Sequence, residues 1–321
     1  RWLASAAWDN TIVLWDTWAG VEVRRIDVTG LITPALFESE KKVIVPIALA
    51  WSDGGERMFL RFGTKSFVHF DPWTGIRAGE GHTSVRVVQV ERDHVWIDDP
   101  DTRRGTRIPA AALADERPTY ATVDTRPPAW VRERGGWIET IGGFHRAGDR
   151  VVWEVGRNEG GPGNAFVVED LATGETWRRP VIGEVMTVHA TDDGQRMLAG
   201  TRTGAVQIFD LDTRRRLLGL HGHRDYVMDV SRAPDGSAIA TGSGDGWVHV
   251  WPLIPMADRE SRRHEARLQA ARLAPLVERA QRAAGTLEAR AALLRADGDL
   301  TPADLAAALA LLNRHEHGET R

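Results

Sequence analysis

Apolar and polar positions alternate along residues 1–255 in short runs, each closed by Gly, Asp or Asn. Ala238-Ile239-Ala240-Thr241-Gly242 is one such run and Trp247-Val248-His249-Val250-Trp251 is the next, with Ser243-Gly244-Asp245-Gly246 turning between them. A period of two between turn residues predicts short half-buried strands. Beyond Pro255 the period changes. Leu276, Ala280, Ala283, Leu287, Ala291 and Leu294 recur at three and four, which predicts one helix with Pro275 in its first turn. Thr301-Pro302-Ala303-Asp304 predicts a cap, followed by a helix with Leu305, Ala308, Leu309 and Leu312 on one face. The pattern therefore predicts a β-rich part, 1–255, and a helical tail of two or three helices, 256–321.

The β-rich part repeats. Asp235-Gly236, the run 238–242, the turn 243–246 and the strand ending at Trp251 are matched one unit earlier. There the order is Asp193-Gly194, Met197-Leu198-Ala199-Gly200, Thr203-Gly204 and Val206-Gln207-Ile208-Phe209-Asp210. Phe209 and Trp251 lie 42 residues apart, and Asp170-Leu171-Ala172-Thr173 precedes Asp210-Leu211-Asp212-Thr213 by 40. Further copies end in Trp15-Asp16-Thr17-Trp18-Ala19-Gly20 and Phe70-Asp71-Pro72-Trp73-Thr74-Gly75. A period near 40 with four strands per unit is the signature of propeller blades. Units fall at about 20–71, 75–112, 118–170, 174–210 and 215–251, after half a unit at 1–16. Residues 29–45 read as an insertion, and Asn158 to Gly163 as a lengthened hairpin loop.

The last unit holds Gly222-His223, then Ile239-Ala240-Thr241-Gly242-Ser243-Gly244-Asp245, then Trp251; the first holds Leu3-Ala4-Ser5-Ala6-Ala7-Trp8-Asp9 and Trp15-Asp16. In both, Asp follows Ser or Thr by four residues and precedes Trp by six. On these residues the segment resembles the tryptophan–aspartate (WD) repeat β-propeller family over roughly 1–253, although Pro252 stands where the closing Asp would be. The resemblance implies a blade-internal hydrogen-bonded tetrad of His223, Asp245, Thr241 and Trp251. It implies a second of Ser5, Asp9 and Trp15, whose His would lie upstream. A closed ring in that family usually has seven blades. The expected fold is thus all-β, an incomplete propeller of about five and a half blades, with a helical extension. The start at Arg1, already inside a strand-like run, suits the C-terminal part of a longer protein.

Composition narrows the function classes. There is no cysteine, which excludes disulfides, thiol nucleophiles and Cys-ligated zinc or iron–sulfur sites. Lys+Arg of 41 against Asp+Glu of 45 lacks the basic excess of a nucleic-acid binder. No apolar run approaches the roughly 20 residues of a membrane span. Lack of Cys suits the cytoplasm. Three Lys among 41 basic residues fits a GC-rich bacterial genome. The Ala/Leu/Arg tail resembles the ends of bacterial WD-repeat proteins that carry a serine/threonine kinase upstream.

Chemistry-bearing motifs are sparse. Asp297-Gly298-Asp299 matches half a calcium loop, but Leu293 and Arg295 occupy the other ligand positions. His221-x-His223 and His315-x-His317 offer two nitrogens each where zinc needs three or four ligands. Gly160-Gly161-Pro162-Gly163 lacks the Lys and helix start of a phosphate loop. A Thr/His/Asp set suggests a hydrolase triad only if the hydroxyl is exposed, and a tetrad buries it. No catalytic residue, cofactor or metal is therefore expected. The expected function is a non-enzymatic protein-interaction scaffold, docking or regulating within a larger bacterial signalling protein. The alternatives are a propeller that regulates its own upstream kinase or NTPase domain, or a catalytic propeller. Turns on the face holding the Asp would bind a protein or peptide. Candidates are Arg224, Asp225, Tyr226 and Trp247 in the last unit, Trp8 and Asn10 in the first, and Lys65, Thr83 and Arg202 between.

Overall fold

A computed structural model describes residues 1–32, 46–51, 55–62, 66–82, 86–91, 94–99, 104–109, 141–147, 149–155, 165–191 and 193–316. Among the described residues the β-rich part forms six antiparallel meanders of three or four strands, the format of WD blades. The first is β1 (Trp2–Ala6), β2 (Thr11–Asp16) and β3 (Val21–Asp27). The second is β4 (Pro46–Trp51), β5 (Met58–Phe62), β6 (Ser66–Phe70) and β7 (Arg77–His82). The third is β8 (Arg86–Glu91), β9 (His94–Asp99) and β10 (Arg104–Pro109). The fourth is β11 (Ile141–Ala147), β12 (Arg150–Val155), β13 (Ala165–Asp170) and β14 (Thr176–Pro180). The fifth is β15 (Val185–Ala190), β16 (Arg196–Thr201), β17 (Ala205–Asp210) and β18 (Arg215–His221). The sixth is β19 (Val227–Arg232), β20 (Ala238–Ser243) and β21 (Val248–Pro252). The sequence units and the sheets are offset: residues 21–27, grouped above with the second unit, pair with β2 and close the first sheet. The insertion at 29–45 and the loop 158–163 fall largely or wholly outside the described residues.

One turn chemistry recurs before the last strand of a meander. Asp16, Asp71, Asp170 and Asp210 each accept backbone N–H bonds from residues two or three ahead. Such Asx turns reverse the chain without help from the sheet. Gly20, Gly75 and Gly174 then supply the positive φ, near 70°, that ends the turn. In the fifth sheet Arg214 takes this position at φ 58°, its guanidinium on Glu175 and over the Trp177 ring.

The chain divides into two compact units, 1–123 with 255–321, and 124–254. Three helices follow β21: α1 (Met256–Ala283), α2 (Leu287–Arg295) and α3 (Pro302–Glu316). Two sequence expectations are corrected here. Pro275 lies inside α1 rather than in its first turn, and the stripe 276–294 is two helices. The break is made by Thr286, whose side chain caps α2 by accepting from Ala289 N. Thr301 caps α3 in the expected way, accepting from Asp304 N at 3.1 Å, with Pro302 first in the helix.

The tail is part of the first unit's core. Leu273 and Val277 of α1, Leu294 of α2 and Leu309 and Leu312 of α3 join one buried cluster with Ile12, Leu14, Val23, Phe70 and Trp73. Polar staples fix the register. Arg24 of β3 donates to Asn313 Oδ1 at 2.8 Å and to Thr74 O at 2.9 Å, and Asn313 Nδ2 donates to Trp73 O at 2.9 Å. Arg295 reaches Asp71 at 2.6 Å, and Arg1 reaches both Asp16 and Gln269. In the second unit, Phe166, Val168, Val188, Met197 and Phe209 fill the space between the fourth and fifth sheets, and Leu198, Val206, Ile208, Val230 and Ile239 that between the fifth and sixth.

Candidate functional site

The sixth sheet brings together the four residues of the predicted tetrad. Trp251 Nε1 donates to Thr241 Oγ1 at 3.0 Å, Thr241 Oγ1 lies 2.7 Å from His223 Nε2, and His223 Nδ1 lies 3.2 Å from Asp245 Oδ2. With a neutral imidazole the chain has one polarity: Trp N–H to Thr, Thr O–H to Nε2, Nδ1–H to Asp. The His223 ring is fully buried and stacks on His249 at 4.2 Å. Thr241 is 1% exposed, so its hydroxyl meets no substrate and a nucleophilic role is ruled out.

Asp245 is the hub of the turn. It also accepts from Arg224 N at 2.9 Å and from Trp247 N at 3.0 Å. Desolvation works to raise its pKa, but the Arg224 and Trp247 amides and the His223 ring outweigh it and hold the carboxyl at about 2. A carboxyl depressed below its usual 3.8 adds stability above that value and loses it as pH falls through about 4 towards 2. The stability difference between wild type and Asp245→Asn should therefore shrink as pH falls from about 5 to about 2, a range that takes in both pKa values. Urea titrations at both pH values measure it. A difference independent of pH would show that the carboxylate is not charged by design.

The first sheet holds a partial version. Trp15 Nε1 donates to Ser5 Oγ at 3.0 Å, but Asp9 is exposed and accepts from Thr11, through its N–H at 3.0 Å and its hydroxyl at 2.6 Å. The Thr11 hydroxyl is the main reason the Asp9 pKa is lowered.

The candidate docking residues sort by exposure. Trp247 is 68% exposed and Trp8 58%, so neither ring covers a neighbouring strand. Arg202, Arg224 and Asp225 are also exposed, whereas Asn10 is half-buried at φ 65°. Tyr226 is half-buried, its ring over Gly244, where a Cβ would sit 2.7 Å from it. Gly244→Ala should displace Tyr226, seen as a change in tyrosine near-UV dichroism without loss of the sheet. Lys65 and Thr83 lie outside the described residues. Two residues on this face escaped sequence reading. Ile182 is 67% exposed, and buried Gln207 bonds both its backbone N–H and C=O. A lone Gln in an apolar strand carries no pattern that could have marked it.

Among the described residues no three His, Asp or Glu side chains converge as metal ligands, and no helix is long and apolar enough to cross a membrane.

The family model described as "WD domain, G-beta repeat" matches residues 1–16 and 214–252. U3 small nucleolar RNA-associated protein 15 of Schizosaccharomyces pombe is 44% identical over 62 residues, 19% of this chain and 13% of that protein. WD repeat and SOCS box-containing protein 1 of Danio rerio is 35% identical over 78 residues, 24% of this chain and 16% of that protein. The WD repeat-containing protein 3 homolog of Dictyostelium discoideum is 26% identical over 69 residues, 22% and 7% of the two chains. The chain thus spans less than a fifth of the length of these relatives. The two matched stretches cover the strands that carry the complete and the partial tetrad, so the likeness to WD repeats falls on the sheets that hold this network.

Proposed function

We propose that this chain is a non-enzymatic scaffold that binds a protein or peptide, and that it is the docking or regulatory part of a larger cytoplasmic bacterial signalling protein. The observation that supports this reading is Trp247, two-thirds exposed on a turn that the tetrad holds rigid through Asp245. An exposed aromatic on a fixed loop is the usual anchor of an interface, because little entropy is lost when it is covered. WD-repeat relatives are typically interaction scaffolds, and two of those matched are named for a SOCS box and for association with DDB1 and CUL4. No buried hydroxyl or His in the tetrad is left for chemistry. The test is a pull-down with wild type and with a Tyr226→Ala, Trp247→Ala double variant. The double variant should lose at least one partner that wild type retains. An identical partner set would remove this face from the proposal.

A further inference from the structure

Four loops of the unit 124–254 form one continuous ridge. Arg202 N donates to Glu184 O at 2.8 Å, tying turn 201–204 to loop 181–184. A Cβ on Gly204 would lie 2.5 Å from His223 O, so that turn abuts loop 222–226 of the next sheet without a gap. Gly244 N donates to Tyr226 O at 3.0 Å and Ser243 Oγ to Asp225 O at 3.1 Å, which ties in turn 243–247. The side chains met along the ridge are Ile182, Arg202, Arg224 and Trp247.

Ile182 is held outward by construction. Gln207 is 4% exposed and spends its whole amide on one residue, accepting from Ile182 N at 3.3 Å and donating to Ile182 O. The blade register shows what this replaces. Ala199 pairs with Gln207 as Thr241 pairs with His249, and Phe209 stands where Trp251 does. Val181, four residues before Val185, matches His223, four before Val227. The fifth sheet thus has an apolar centre in place of a tetrad, and the Gln207 clamp anchors its loop instead. A clamp on the backbone of a residue whose apolar side chain faces water fixes that side chain without burying it.

The charges complete the picture. Arg202 shares Glu184 at 3.7 Å, and Asp225 accepts from Tyr226 N at 2.8 Å. The Arg224 guanidinium has no ion-pair partner among the described residues, its loop lies between those of Ile182 and Trp247, and the neighbouring Asp245 carboxylate is taken up by backbone N–H groups and His223. We infer that this ridge takes an extended peptide in which an acidic side chain is flanked by apolar ones. Ile182 and Trp247 are the apolar anchors, Arg224 receives the acid, and Gln207 is a positioning residue for Ile182. The inference rests on the docking reading above and adds the class of partner.

The test is to pan a display library of random short peptides against the full chain and measure the enriched peptides by fluorescence anisotropy. The expected peptides carry Asp or Glu between Leu, Ile, Phe or Trp. Ile182→Ser and Trp247→Ala should each weaken binding about tenfold, and Arg224→Ala should remove most of its salt dependence. Gln207→Leu should weaken binding and accelerate hydrogen exchange at the Ile182 amide, with the Leu198 and Ile208 amides unchanged. That last control separates loss of positioning from loss of fold. Peptides that lack an acid, or an absence of enriched peptides, would overturn the inference. So would binding that needs Trp247 but ignores Ile182 and Gln207, and in that case the docking reading would stand. Binding indifferent to all four residues would overturn both.

Discussion

Thr241→Val is expected to destabilise the chain by about 3 kcal/mol, although the two side chains have nearly the same shape. The hydroxyl it removes accepts from Trp251 Nε1 and meets His223 Nε2. Leaving a buried polar group without a partner costs about 1–3 kcal/mol, and here two lose theirs at once. Thr241→Ser keeps the oxygen and gives up one methyl, so it should cost about 1 kcal/mol. The fifth sheet supplies a sharper comparison, since it holds Val181, Ala199 and Phe209 at the matching places. Transplanting them as His223→Val, Thr241→Ala and Trp251→Phe removes donors and acceptors together. The triple variant should then lose less stability than the sum of its parts, by more than about 1 kcal/mol. Urea titrations of the singles and the triple decide it. Additive losses would mean that the network is no more than three independent contacts.

The second large effect is expected at Arg24. Its guanidinium joins β3, the turn at Trp73 and Thr74, and Asn313 of α3, residues 49, 50 and 289 positions away. Burial lowers its pKa, the Asp71 carboxylate working against this, and its Nε has no hydrogen-bond partner among the described residues. Arg24→Ala would take its donors from the Thr74 carbonyl and the Asn313 amide oxygen and leave the Trp73 carbonyl with Asn313 Nδ2 as its side-chain donor, a loss of about 3–5 kcal/mol. Asn313→Ala should cost about 2 kcal/mol by the same reasoning. Limited proteolysis gives the direct readout, with cleavage within α3 appearing in Arg24→Ala well before cleavage within the sheets. A tail that stays resistant in both variants would show that apolar contacts alone hold it.

Much of this was legible in the sequence because turn chemistry is local. Asp-Gly and Asp-x-x-x-Gly mark reversals by bonds within five residues, and the Ser/Thr–Asp–Trp spacing is set inside one hairpin. The tail helices were legible as helices for the same reason. Pro275 was not, because its cost of about 3 kcal/mol in a helix interior has to be offset by contacts that no local pattern records. Those contacts are Ala266, Leu273, Val277 and Ala280, a narrow stripe along a helix that also carries many charged residues. The Gln207 clamp was invisible on similar grounds: its partner is 25 residues away and is a backbone, which has no residue type. Ile182 then reads as one more apolar position at a strand end, and only exposure distinguishes it.

The packing of α3 beside β3 also sets a clock. Ribosomes add about 5–20 residues per second, so roughly 15 to 60 s separate the synthesis of Arg24 from that of Asn313. Throughout that interval the sheet of β1 to β3 lacks the helices that complete its core. The sheet of β1 to β3 is made early and finished late, and a nascent chain of this sequence presents Ile12, Leu14 and Val23 to holdase chaperones until α3 has emerged.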